Sequence, residues 1–150
     1  MNDFFIYLKV PQYLKDYLEN HLGDPVKLPK DSPESILVKR FLQKKSDAPE
    51  PDLGEGCNLR VQIPWSKEKD PRIYQYLPPV ANQCLISSFD DILVTNMWND
   101  LMPLIDSRCT LTNLIYAWME QHGIDEDHWE TIRQRFYRLR KKYMKTGIKL

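Results

Sequence analysis

The last twenty residues of the chain combine cations with aromatic and aliphatic side chains at helical spacing. Residues 131–150 contain eight Lys or Arg and no Asp or Glu. Steps of three and four place five apolar residues on one stripe of an α-helix: Trp129, Ile132, Phe136, Leu139 and Tyr143. At about 100° per residue, Gln134, Arg138, Lys141 and Lys145 fall on the opposite face. A helix divided in this way suits a partner with dense negative charge, and nucleic acid is the leading candidate.

The residue types on the polar side suggest two roles in nucleic-acid recognition. Arg and Gln side chains can contact guanine or adenine edges through two hydrogen bonds, so we assign Gln134 and Arg138 to base contacts. Phosphate contacts fall to the remaining cations: Arg133, Lys141, Lys142 and Lys145. The alternative is a solvated helix, because the helix macrodipole favours cations in a last turn and many surface helices are basic without a partner.

A second basic and aromatic run lies near the middle of the chain. Its candidate residues for nucleic-acid binding are Trp65, Lys67, Lys69 and Arg72. Single-strand sites use aromatic rings to stack bases and cations to follow the backbone. The competing interpretation is an ordinary loop, since Glu68 and Asp70 dilute the charge and Tyr74 suits helix packing.

Motifs for catalysis, metal binding or nucleotide binding are missing from the sequence. The three cysteines lie 25 or more residues apart, and no Cys or His pair has structural zinc spacing. The adjacent Asp90 and Asp91 point about 100° apart on a helix and make a poor acid dyad. His122 and His128 flank three acids, which helix capping explains better than a metal site. We therefore predict a non-enzymatic protein with no catalytic residue, no metal and no cofactor.

Composition restricts the class of protein. The 150 residues are 42% hydrophobic, without an apolar run long enough to span a membrane, so no membrane partner is expected. The first residues lack the basic and apolar regions of a signal peptide. The odd number of cysteines argues against a disulfide framework. These features predict a cytoplasmic location.

The formal net charge is zero, but acidic and basic residues are distributed unevenly along the second half of the sequence. Residues 90–130 contain one basic and nine acidic residues, and the eight bases of residues 131–150 follow directly. Such segregation can form a self-complementary surface. A protein-interaction or assembly module, including a homodimer, is therefore the alternative to a nucleic-acid-binding protein.

The first half of the sequence predicts a small α+β unit over residues 1–64, with two or three strands and two helices. Strand patterns cover residues 4–10 and 58–65, with a short extended piece at 24–29. A helix is expected from Pro11 to Leu22 with Gly23 as its C-cap, and a second begins at Ser32 and Pro33. Residues 46–57 are Pro-, Gly- and acid-rich and are the best linker candidate.

The second half, residues 65–150, predicts a mostly helical unit. Asp70 and Pro71 indicate the start of a short helix, and a long helix is expected over 80–102. Thr110 should cap a helix over 111–121, and residues 122–125 form a turn in which Gly123 supplies a positive φ. The last helix should span about 126–145 and close at Gly147. The expected core is Leu114, Ile115, Trp118, Trp129, Ile132, Phe136 and Leu139.

A helix, a short Gly-containing turn and a basic amphipathic helix resemble a helix-turn-helix DNA-binding module. The resemblance covers residues 104–145, with Gly123 and Ile124 in the turn. The run from Ile132 to Tyr143 is also similar to the basic third helix of homeodomain and Myb-like units, for which residues 80–102 would supply the first helix. A terminal basic helix on a compact domain further resembles accessory proteins of mobile genetic elements. The resemblance favours DNA over RNA as the partner, and the sequence alone leaves both open.

Overall fold

The computed structural model describes residues 4–47, 56–105 and 107–146, and its fold class is α+β, as predicted. The chain divides into two compact units, Met1–Phe89 and Asp90–Leu150, so the division falls inside a helix and beyond the expected boundary at residues 64 and 65. Most of the expected linker, residues 48–55, lies outside the described residues, as does Gly147. The elements are β1 (Phe5–Leu8), α1 (Gln12–Leu22), α2 (Pro33–Phe41), β2 (Gln43–Lys44), β3 (Leu59–Gln62), β4 (Tyr74–Tyr76), α3 (Pro79–Leu101), α4 (Leu111–Gln121) and α5 (Trp129–Thr146).

The first unit is built on an antiparallel pair, β1 with β3, in the register Leu8 opposite Leu59. Both strands alternate, so that Ile6, Leu8, Leu59 and Val61 are buried while Arg60 faces water. Val26 adds an isolated parallel bridge to Val61. The alternation expected from the sequence is therefore confirmed, and the extended piece near residue 26 joins the same sheet.

The two helices of the first unit begin and end where their capping residues indicate. Gly23 has a φ of 95°, and its N–H donates to the carbonyl of Glu19 at 3.0 Å to close α1. The Ser32 hydroxyl accepts the N–H of Ser35 at 3.2 Å to open α2. The predicted helix boundaries are confirmed at these positions.

The helix predicted from Asp70 and Pro71 is wrong. Asp70 accepts the N–H of Arg72 at 2.9 Å, but this contact forms only a turn. The chain then extends into β4, which pairs antiparallel with the two residues of β2. The N–H of Lys45 donates to the carbonyl of Ile73 at 2.9 Å, so a partner distant in sequence satisfies the backbone here.

The helical elements of the second unit follow the sequence signals closely. The long helix α3 begins directly after Pro78 and ends before a 3₁₀ turn at Met102–Leu104. The Thr110 hydroxyl accepts the N–H of Asn113 at 3.2 Å and opens α4. Gly123 has a φ of 70° in the turn between α4 and α5. A 3₁₀ turn at Glu126–His128 precedes α5, so the last helix begins three residues later than predicted.

The core of the second unit contains most of the predicted residues. Ile132 and Phe136 are fully buried, and the Phe136 ring lies 5.5 Å from the ring of Trp98 on α3. Leu114, Ile115 and Trp118 are buried on α4. The expectation that Trp129 and Leu139 belong to the core is wrong, because both are half-buried. Trp129 instead stacks at 5.1 Å on the exposed Tyr116 at the start of α5.

The difference in burial predicts a difference in stability. Phe136→Ala should lower the free energy of unfolding by about 3–5 kcal/mol, because it removes a fully buried ring. Trp129→Ala should cost less, about 1–2 kcal/mol, because the Trp129 side chain is only partly buried. Urea denaturation followed by circular dichroism measures both values. An equal loss in the two variants would contradict the assigned helix face.

Candidate nucleic-acid interface

The outer face of α5 presents three exposed cations, Arg138, Lys141 and Lys142. Helical spacing places Arg138 and Lys141 opposite the buried Ile132 and Phe136, and Lys142 lies at the edge of this outer face. Neither Arg138 nor Lys141 forms an ion pair with another described residue. The side chain of Lys145, which the spacing assigns to the same face, lies outside the described part of the chain.

Two other predicted contact residues are engaged by their own helix. Arg133 donates to the carboxylate of Glu130 at 3.1 Å, and its guanidinium lies 4.9 Å from the centre of the Tyr137 ring. The Gln134 amide donates to the same carboxylate at 3.4 Å. Glu130 therefore offsets positive charge in the first half of α5, whereas Arg138 and Lys141 in the second half form no ion pair with another described residue.

Arg135 forms an ion pair with Asp90 that sequence reasoning did not anticipate. About a quarter of each side chain remains exposed, at 26% for Arg135 and 27% for Asp90. The pair joins α5 to α3 beside the buried stripe. Asp90 thus holds the helix in place, and Arg135 is not part of the outer cationic face.

The turn before α5 contains polar contacts that are structural in character. The Trp118 indole N–H donates to the carboxylate of Asp100 at 2.9 Å, and the His122 Nε2 lies 3.6 Å from the same carboxylate. Asp125 accepts the N–H of Asp127 at 2.8 Å and caps the 3₁₀ turn. No group of three metal-ligating side chains occurs among the described residues. Capping therefore accounts for Asp125, one of the three acids between the histidines.

The structure brings three members of the second candidate cluster together and leaves Lys69 outside that group. Trp65 and Lys67 are exposed and, with Arg72, line a cleft of about 540 Å³. Arg72 is held by Asp70 at 2.7 Å, and these hydrogen bonds keep the pKa of the Asp70 carboxyl below its usual range. Lys69 Nζ donates to the carbonyls of Arg40 and Leu42, at 2.9 and 2.8 Å, and so caps the end of α2.

A different set of cations lies on another side of Trp65. A cleft of about 470 Å³ is lined by Lys27, Lys30, Lys39 and Trp65. Sequence reasoning missed these lysines, because they come from separate segments with no common spacing. The extended pattern near residue 26 was the only local signal that this segment would reach the sheet.

Comparison with known proteins identifies no relative: no family model, no curated protein and no solved structure matches the chain. Among the described residues, no helix combines the length and the apolar character needed to cross a membrane.

The contacts of Lys69 predict a structural role. Lys69→Met should lower the free energy of unfolding by about 1.5–3 kcal/mol, because it removes two charge-assisted hydrogen bonds to carbonyls at the end of α2. Lys67→Met is the matched control and should change stability by less than about 0.5 kcal/mol. Thermal and urea denaturation measure both. A Lys69 variant as stable as the Lys67 variant would contradict the capping role.

Proposed function

We propose that the chain is a non-enzymatic nucleic-acid-binding protein that contacts DNA through the exposed face of α5. The observation that carries the proposal is the exposure of Arg138, Lys141 and Lys142 on a helix whose other side completely buries Ile132 and Phe136. Such a surface neutralises phosphates and releases their counterions, which provides the main part of affinity in most DNA complexes.

The connection between α4 and α5 supports a helix-turn-helix arrangement. Four residues, 122–125, separate α4 from the 3₁₀ turn that leads into α5, and Gly123 adopts the positive φ of a tight reversal. In such modules the second helix enters the major groove. The wide major groove of B-DNA admits an α-helix, whereas that of duplex RNA is deep and narrow. These dimensions favour duplex DNA.

The charge along α5 places the contact in its second half. Glu126, Asp127 and Glu130 are exposed at the start of the helix and repel phosphate. Arg138, Lys141 and Lys142 lie about two to three turns beyond Glu130, where no such acid occurs. Arg138 is the best placed residue for a guanine edge. Gln134 can exchange its long contact with Glu130 for an adenine edge, and Arg133 and Lys145 remain phosphate contacts in this proposal.

The state of the cysteines supports a reducing compartment. Cys84 and Cys109 are exposed thiols that form no disulfide among the described residues. Exposed thiols without a disulfide partner are typical of proteins in reducing surroundings. We therefore place the protein in the cytoplasm within this proposal.

Charge reversal on α5 tests the proposal. Arg138→Glu with Lys141→Glu should abolish measurable binding to duplex DNA without unfolding the protein, because both side chains are exposed. Fluorescence anisotropy with labelled duplex at about 50 and 200 mM salt measures the affinity and its salt slope. Lys9→Glu with Lys44→Glu is the control, since it changes net charge equally at exposed positions of the first unit. Duplex affinity retained in the α5 variant would overturn the proposal.

A second function, self-assembly, is favoured by the exposed acids of the second unit. Exposed carboxylates occur on α3, α4 and α5 of the same unit that carries the cationic face: Asp91, Asp100, Glu120, Asp125, Glu126, Asp127 and Glu130. An isologous dimer can pair these two surfaces.

Sedimentation distinguishes self-assembly from a monomeric DNA-binding protein. Assembly through charge predicts a dimer at low salt that dissociates as salt rises, because ions screen such contacts. The Arg138→Glu, Lys141→Glu variant should then sediment as a monomer at low salt. A wild-type monomer at every salt and protein concentration would contradict the assembly function and leave the DNA-binding proposal unaffected.

A further inference from the structure

Three lysines and one tryptophan from separate segments meet in the first unit. Lys27 and Lys30 follow α1, Lys39 belongs to α2, and Trp65 follows β3. Together they line the cleft of about 470 Å³, which we call the lysine–tryptophan cleft. This site is separate from the α5 surface and does not depend on the function proposed for that surface.

Backbone hydrogen bonds hold the walls of this cleft in place. The N–H of Val26 donates to the carbonyl of Arg60 at 2.9 Å, and the N–H of Gln62 donates to the carbonyl of Val26 at 2.8 Å. Val26 and Ile63 are fully buried beneath the cleft wall, and Val38 anchors α2 in the same way. The positions from which Lys27 and Lys39 project are therefore set before any ligand arrives, which lowers the entropic cost of binding.

The charge of the cleft is uncompensated. None of the described residues that line it is acidic. Lys27 and Lys30 are exposed, Lys39 is half-buried, and none of the three forms an ion pair with another described residue. Lysine side chains gathered without a counter-charge produce a positive potential that attracts an anion, and the cleft walls strengthen it by excluding part of the water.

The exposed ring of Trp65 indicates which class of anion the cleft would bind. Its relative exposure is 64%, although a tryptophan ring usually gains by burial. An exposed indole offers a flat face for stacking, at a site where cations are available to the same ligand. A ligand that combines a planar ring with a linked anion is a nucleotide, in which the base stacks and the phosphate meets the lysines.

We propose that the lysine–tryptophan cleft binds single-stranded nucleic acid, with a base stacked on Trp65 and adjacent phosphates at Lys27, Lys30 and Lys39. A strand is favoured over a free nucleotide because Trp65 also borders a second cleft, of about 540 Å³, where Lys67 offers a further cation while Asp70 is paired with Arg72. A mononucleotide would occupy one side of the ring, whereas a strand runs past both sides. Single-strand sites follow the backbone over about 4–16 nucleotides in this manner.

Anisotropy with a labelled oligothymidylate of about ten nucleotides tests the proposal on the full chain at low salt. Trp65→Ala should weaken binding roughly 5- to 100-fold through lost stacking, and Trp65→Phe should retain most of the affinity. Lys27→Glu with Lys39→Glu should weaken binding and flatten its salt dependence. Phe41→Ala is the matched control, because Phe41 is an exposed ring of the same unit that does not line the cleft. Circular dichroism verifies that each variant is folded.

Four outcomes would overturn the proposal. If Trp65→Ala bound the oligothymidylate as tightly as the wild type, binding would depend on charge alone. Complete displacement of the oligothymidylate by inorganic polyphosphate would lead to the same conclusion. Thymidine monophosphate competing as well as the oligonucleotide would show a mononucleotide site. Loss of single-strand binding in the Arg138→Glu, Lys141→Glu variant, with the Trp65 variant unchanged, would assign the strand to α5. Trp65→Ala should leave duplex affinity unchanged, so failure of the α5 proposal and failure of this one are distinguishable.

Discussion

The packing of α5 against Trp98 fixes the rotation of that helix about its axis, and the rotation decides which of its side chains face water. Phe136 is fully buried, with its ring 5.5 Å from that of Trp98. Turning the helix by one residue, about 100°, would expose this ring at a cost of about 1.5–3 kcal/mol and bring a charged neighbour toward the core. The outward position of Arg138 and Lys141 is thus a consequence of apolar packing.

The arginines of α5 have different surroundings, although the helical pattern in the sequence does not distinguish them. Arg133 lies against Tyr137 and Glu130, Arg135 is paired with Asp90, and Arg138 faces water without a described partner. Part of the charge segregation is therefore neutralised inside the second unit. What remains for a partner is a shorter cationic face in the second half of the helix, which acts at close range because salt screens it over about 8–10 Å.

Local signals predicted most of the fold. The caps at Ser32 and Thr110 act through side chains within three residues of the groups they satisfy, so the sequence contains all that is needed. The Asp70–Pro71 signal failed for the opposite reason. It favours a helix start locally, but pairing with β2, almost thirty residues earlier, decides the conformation of β4. The contacts of Lys69 with the end of α2 are likewise visible only in the fold.

The two candidate sites also differ in whether local sequence signals could predict them. The cationic face of α5 follows from helical periodicity and could be predicted, whereas Lys27 and Lys39 meet only because Val26 pairs with Val61. The neighbours of Trp65 in sequence, Lys69 and Arg72, turned out to be held by backbone carbonyls and a carboxylate. Proximity along the chain is a poor guide to a site that several segments build.

Trp65 itself shows how the fold creates a surface that stability alone does not require. Leu59, Val61 and Ile63 are buried at every second position, and continued alternation would bury residue 65 as well. The strand β3 ends at Gln62, and Pro64 cannot donate to the sheet, so the chain leaves it before that position. The ring is consequently left in water beside three uncompensated lysines. An aromatic face and a positive potential, placed together by the end of one strand, are the two features that a stacked base and its phosphate require.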